Sequence, residues 1–303
     1  LNVLMLLVVA WSAARTYQER VAPTDGEVVS TAALWIYAIV IGSPFAAHLV
    51  WTGQTGLLVL GCLLLAWRTC QAGAWVVAGI ALGIATIKPQ LAMLVFAWFV
   101  LTGSFRVVGV ALVTAGLLLA YAVVQLGPDV VTQWASAALT YQGEVATGLP
   151  YNTNLKSLLI GLGVPLSPVA TALIPVAALG YTAWLAMLHR QSPRAPADVL
   201  AALLITSLFL VQGRDYDIAV LAPVVAMLFF WTRGDRTAQL LAVALLLVLF
   251  VPLRLITLSG WPPLSFVRIL VLGCVWAWVS TILWRGPRYA VRHATDAVGS
   301  SAS

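Results

Sequence analysis

Runs of apolar residues recur along the whole chain, each closed by Arg, Lys, Gly, Pro or a short polar cluster, and none alternates with period two. In lipid, backbone groups must be satisfied within their own segment, so such runs predict helices rather than a barrel. The segments fall near 1–14, 31–50, 54–67, 72–87, 90–104, 107–126, 166–188, 199–213, 217–232, 237–256 and 265–284. Taken as one crossing each, they predict an all-α, polytopic transmembrane bundle of about eleven spans over residues 1–284. Residues 285–303 form a basic, then small and polar tail, expected to be disordered on the cytoplasmic side.

Hydrophobic residues make up 62% of the chain and charged residues 9%, against roughly 25% charged in soluble domains. No water-soluble fold of this size can cover its surface with so few charges. The net charge of +6 comes from basic residues scattered singly between apolar segments, which form no stripe for nucleic acid. Topology accounts for the excess better. With Arg106 on the cytoplasmic side, alternation puts Arg15, Arg20, Arg68, Arg190, Arg194, Arg233, Arg236, Arg285, Arg288 and Arg292 there too. The external side keeps Lys88, Lys156, Arg214 and Arg254. Cys62, Cys70 and Cys274, like His48, His189 and His293, are dispersed, so neither a disulfide framework nor a zinc site is expected. The chain opens at Leu1 inside an apolar run that reads as a helix already under way, and an upstream portion is expected.

Several segments hold about fifteen residues, or about 22 Å of helix, less than the roughly 30 Å hydrocarbon core. Their outer ends are therefore expected below the membrane surface, lining an enclosed or watery cavity. The short pairs meet at Ile87-Lys88-Pro89-Gln90 and at Gly213-Arg214-Asp215-Tyr216-Asp217, both on the external side. A long external loop, about 128–165, carries Trp134, Tyr141, Glu144 and then Tyr151-Asn152-Thr153-Asn154-Leu155-Lys156. A membrane-surface helix over the cavity mouth is expected in it.

Lys88 is the most informative residue, since a charge at membrane depth costs roughly 2.5–3.5 kcal/mol on insertion scales without a partner or water. An anionic lipid-linked phosphate meets that need, with Pro89 breaking the helix and Gln90 adding an amide; snorkelling to the headgroups is the plainer alternative. Arg214 is suited to a leaving phosphate, and Asp215 or Asp217 to orienting it or acting on an acceptor hydroxyl. The alternative there is a self-contained ion pair capping a helix hairpin. Gln54, after Gly53, suits sugar hydroxyls or a helix end. Asn152, Asn154 and Lys156 suit sugar or phosphate, or simply start a helix. Asp129 and Glu144 read as solvated loop acids, and His48, after the Gly42-Ser43-Pro44 break, as local packing.

In this order the motifs resemble bacterial members of glycosyltransferase family 87, a membrane-embedded group of the GT-C class. The stretches are GQTGLLVLGCLLL from Gly53, GIALGIATIKPQLAMLVFAWFVLTGSFR from Gly79 and RDYDIAVLAPVVAML from Arg214, with YNTNLKSLLIGLG from Tyr151 as a looser match. The resemblance implies a GT-C-like fold in a bacterial cell membrane. It implies transfer of a hexose, often mannose, from a polyprenyl-phosphate donor to a lipid or glycan acceptor on the external face, with no cofactor, metal or nucleotide-sugar donor.

It further implies that Gln54, Lys88, Gln90, Arg214, Tyr216 and Asp217 line the cavity; the assignment of Lys88 and Arg214 to the donor phosphate, and of Asn152, Asn154 and Lys156 to the substrate, rests on the residue chemistry above. The family's acidic base belongs to an upstream external loop, which leaves Asp215 and Asp217 as the acids within this stretch and implies that the stretch alone is inactive. Two other readings stand beside the transferase: a transporter or flippase for a lipid-linked sugar, and a noncatalytic membrane subunit of a glycan assembly complex.

Overall fold

The computed structural model describes residues 1–20, 26–145, 152–250 and 266–285, with side chains throughout except at 26–30 and 138–145. Tyr151, Arg254, Arg288, Arg292, His293 and the tail beyond Arg285 lie outside the described residues, as do the side chains of Tyr141 and Glu144.

The helices in chain order are α1 (Asn2–Gln18), α2 (Gly26–Ile41), α3 (Pro44–Thr52), α4 (Gly56–Gln71), α5 (Trp75–Ala85), α6 (Pro89–Leu101), α7 (Phe105–Leu126), α8 (Asp129–Val145), α9 (Leu155–Gly161), α10 (Pro168–Gln191), α11 (Pro196–Thr206), α12 (Ala222–Trp231), α13 (Arg236–Phe250) and α14 (Val267–Arg285). Between α11 and α12 the chain passes through a π-helical turn, Ser207–Val211, and a 3-10 turn, Asp215–Leu221. No strand occurs among the described residues; one isolated antiparallel bridge joins Asn152 to Arg214.

The all-helical architecture matches the apolar pattern, but eleven full crossings are not supported. Among the described residues, α7, α10 and α14 are long and apolar enough to span a membrane, and α2 with α3 adds a fourth span if the pair, bent by 46°, counts as one. The physical reason lies at the breaks. Ser43 caps α3 through its hydroxyl just ahead of Pro44, and Pro89 opens α6 immediately after Lys88. Proline has no N–H to continue the preceding ladder, so an apolar run becomes two short helices. α5 and α6, with 11 and 13 residues, reach only about 16 and 20 Å. The segment read as one helix near 217–232 is likewise divided, into the 3-10 turn and α12.

α5 packs most extensively on α7. Gly79 and Gly83, one helical turn apart, let the two backbones meet: a Cβ at either position would lie 2.5 Å from the Cβ of Val110 or Thr114. Small residues at such a spacing allow close helix approach where lipid supplies no hydrophobic drive. The core is built of Leu, Val and Ala from α4, α11 and α12, whose residues 199–205 and 218–228 are buried without a break. Outward faces keep exposed apolar residues such as Leu117, Val124 and Leu173, as lipid contact requires.

Charged groups separate to the two ends of this bundle. At one end, Arg20 pairs with Asp198 at 2.6 Å, Trp231 Nε1 donates to the other oxygen of Asp198 at 3.2 Å, and Arg68 approaches Glu19 at 3.7 Å. At the other end lie Lys88, Arg214, Asp215, Asp217 and Arg268.

Candidate functional site

The site forms where two broken helices face one another. α5 ends at Ala85, the chain turns through Thr86 and Ile87, and Lys88 serves as the N-cap of α6 in an extended conformation, φ −122° and ψ 77°. This directs the lysine inward, where it is 8% exposed. The opposing element is the 3-10 turn. Its third residue, Asp217, is 1% exposed and has both carboxylate oxygens engaged. Oδ1 accepts a hydrogen bond from Lys88 Nζ, and Oδ2 accepts one from the backbone N–H of Arg214 at 3.1 Å. Asp217 thus caps its own turn and neutralises a lysine from another helix pair. Gly56, at the start of α4, keeps space beside it: a Cβ there would sit 3.5 Å from Asp217 Oδ1.

Aromatic and further charged groups surround the pair. Lys88 Nζ lies 5.0 Å from the centre of the Tyr216 ring, close enough for a cation–π contribution. His48 also stacks on that ring at 5.5 Å, packing across the fold rather than locally as its place after the Gly42-Ser43-Pro44 break suggested. Asp215 accepts from the Tyr216 backbone N–H at 2.9 Å and lies 3.9 Å from a guanidinium nitrogen of Arg268. Arg268, at the beginning of α14, is fully buried, with its guanidinium 4.9 Å from the centre of the Phe45 ring. Sequence reasoning passed over this arginine and Phe45. The signal was present, since Arg268 is a charge set within the last apolar segment, the same pattern that singled out Lys88.

The polar stretch after the long loop reaches the same place. Thr153 N–H donates to the Gly213 carbonyl at 2.8 Å, and Asn152 bridges to Arg214. A Cβ at Gly213 would stand 2.6 Å from Leu208 Cδ2 and 2.7 Å from Thr153 Oγ1, so a larger residue there would have to displace both side chains. Asn154 is the N-cap of α9, its side-chain oxygen accepting from Ser157 N–H at 2.8 Å. Asn152 and Asn154 are each 1% exposed, and Asn152 Oδ1 and Asn154 Nδ2 make no hydrogen bond among the described residues. Buried amide groups in that state suit a polar ligand, because leaving them unmatched costs about 1–3 kcal/mol each. Lys156 is half-buried at the start of α9, and its ammonium is pulled below the ordinary lysine range by burial.

The structure therefore brings Lys88, Asn152, Arg214, Tyr216 and Asp217 together, with Asp215 and Arg268 beside them. Gln54 and Gln90 are half-buried at the starts of α4 and α6, Gln54 offering its backbone carbonyl to Asn2 Nδ2 at 3.1 Å. The ion pair weighed against phosphate binding in the sequence is one self-contained in the Arg214–Asp217 turn; Asp217 pairs instead with Lys88 from another helix, and Asp215 with Arg268. Among the described residues, no three His, Cys, Asp or Glu side chains converge as metal ligands.

A helical membrane protein with one buried charged site among broken helices is the class that fold and site define. A model of glycosyltransferase family 87 matches residues 1–213, more than two thirds of the chain, and the chain belongs to that family. The match takes in Gln54, Lys88, Gln90, Asn152, Asn154 and Lys156 and stops one residue before Arg214, so the acidic half of the site lies beyond the matched stretch. Searches of curated proteins and of solved structures gave no match. Membership implies a glycosyltransferase working with a sugar donor and an acceptor at a lipid bilayer.

Proposed function

We propose that this chain is the membrane domain of a GT-C-like enzyme that moves a hexose, mannose foremost, from a polyprenyl-phosphate donor to a lipid or glycan acceptor. The reaction is placed on the external face of a bacterial cell membrane. The carrying observation is the buried Lys88–Asp217 pair, with Arg214 and Tyr216 in the same turn.

Transfer of a sugar from a polyprenyl phosphate breaks the bond between the anomeric carbon and the phosphate oxygen. Negative charge then grows on the departing phosphate. Fixed cations in a water-poor pocket stabilise that charge more in the transition state than in the ground state. Lys88 and Arg214 are assigned to this phosphate. Asp217 is the anion that Lys88 pairs with, and a phosphate entering the pocket takes over part of that role. Asn152 and Asn154 carry the buried amide atoms suited to sugar hydroxyls, with Gln54, Gln90, Tyr216 and Lys156 lining the approach. Deprotonation of the acceptor hydroxyl needs a carboxylate on the opposite face of the sugar. Asp215 and Asp217 are the carboxylates at hand here, while the family's base belongs to an upstream loop.

The external assignment rests on the gathering of Arg20, Arg68, Arg233 and Arg236 at the opposite end of the bundle, against Arg214 and Arg268 at this one. The test is a transfer assay on the full-length protein with defined polyprenyl-phosphate hexoses and membrane acceptors. Product formation supports the reading, whereas movement of the labelled lipid across vesicles without glycosidic product replaces the enzyme with a flippase.

A further inference from the structure

A second feature opens at the arginine-rich end and runs toward Phe250 and Phe45, whose ring meets Arg268. A cavity of about 690 Å³ runs between α2 and α13, floored by α12 and α1. Its two walls are helical stripes. Thr31, Trp35, Ala38 and Gly42 recur at helical spacing along α2, facing Arg236, Gln239, Val243 and Leu247 along α13. The small Ala38 and Gly42 leave the space open, while exposed Trp35, Leu240 and Leu247 form a rim that faces lipid.

The cavity has a polar end and an apolar end. Tyr17, Thr31, Arg233, Arg236 and Gln239 gather at the start of α13, and Pro44, Leu247 and Phe250 close the far end. The one carboxylate of that polar turn, Asp235, accepts the Ala238 backbone N–H at 3.0 Å as a helix cap. Arg233 follows α12, so the last four residues of the 3-10 turn and the 10 residues of α12 lie between it and Asp217, a path of about 23 Å. The two cationic centres are at opposite ends of the bundle.

We propose that this cavity is a binding site for an anionic glycerophospholipid, with its phosphate at Arg233 and Arg236 and one acyl chain in the trough between α2 and α13. Charge complementarity selects the head: two guanidiniums at the membrane boundary match the anionic lipids that collect beside basic pockets between helices. The apolar stripes select the tail. The head-group end is separate from the sugar donor site, and its lipid belongs to the leaflet at the arginine-rich end.

The test is lipid retention by the full-length protein, measured by native mass spectrometry with phosphatidylglycerol and phosphatidylcholine supplied in equal amounts. Phosphatidylglycerol is expected to be retained over phosphatidylcholine by at least tenfold. Arg236→Glu, an exposed change, is expected to remove most of that preference, and Ala38→Trp to lower retention by filling the trough with both arginines intact. Equal retention of the two lipids, or unchanged retention in Arg236→Glu, overturns the proposal; so does a cross-link from the trough showing another protein segment seated in it.

Discussion

Lys88 and Asp217 stand 129 positions apart in sequence, and their side chains form a buried ion pair between the first turn of one helix and the 3-10 start of another. Removing one partner leaves an uncompensated buried charge, which costs about 3–5 kcal/mol. Lys88→Met and Asp217→Asn are each expected to lower the unfolding temperature of the purified protein. The double change Lys88→Met with Asp217→Leu should recover much of the loss without restoring transfer. Recovery of both would reduce the pair to a packing device.

Transfer itself should respond to the two cations. In the full-length protein, Lys88→Ala or Arg214→Ala is expected to slow sugar transfer at least tenfold, equivalent to about 1.4 kcal/mol of transition-state stabilisation, while membrane insertion persists. Initial rates with a polyprenyl-phosphate hexose decide this, and unaltered rates in both variants remove the phosphate assignment.

The two asparagines separate a structural from a binding role. Asn154→Ala loses a helix cap and should cost about 1 kcal/mol, largely restored by Asp at the same position. Asn152→Ala removes an oxygen without a hydrogen bond among the described residues, so stability should hold while KM for the sugar donor rises. An unchanged KM in Asn152→Ala would count against sugar contact.

Charge pairing at the opposite end should matter for stability alone. Asp198 is 2% exposed and joins Arg20 to Trp231. Asp198→Ala is expected to lower the unfolding temperature yet leave the rate per folded molecule within about twofold, a factor worth only about 0.4 kcal/mol. A tenfold loss of rate at normal stability would place Asp198 in the reaction.

Backbone contact between α5 and α7 gives a test remote from any charge. Gly83→Val should sharply reduce folded yield, because its Cβ would lie 2.5 Å from Thr114, whereas Gly116→Ala on the open face of α7 should be neutral or slightly stabilising. Comparable yields of the two variants in detergent extracts would contradict the close packing.

The helical class was legible because long apolar runs leave the backbone no other solution in lipid. The number of crossings was not legible from those runs. A hydrophobic stretch interrupted by Ser43-Pro44 or Lys88-Pro89 looks the same whether each half crosses alone or the two bend together. Lys88 and the Arg214–Asp217 turn were legible as charges out of place in an apolar chain, and they do meet. Their pairing was not: residue type allowed Lys88 to seek a phosphate, headgroups or a carboxylate, and tertiary approach alone selects Asp217. Arg268 carried the same signal as Lys88. It was missed because it sits near a segment end, where an arginine ordinarily marks the membrane boundary.

The stretch Pro196–Val211 holds 16 residues in its helix and π turn, about 24 Å in length. It is riveted at one end through Asp198 to Arg20 and, just past the other, through Asp217 to Lys88. A rod fastened at both ends cannot stretch to suit a thicker bilayer. Because α11 is buried within the bundle, that fixed length sets the depth of the Lys88–Asp217 pocket relative to the Arg20–Asp198 end.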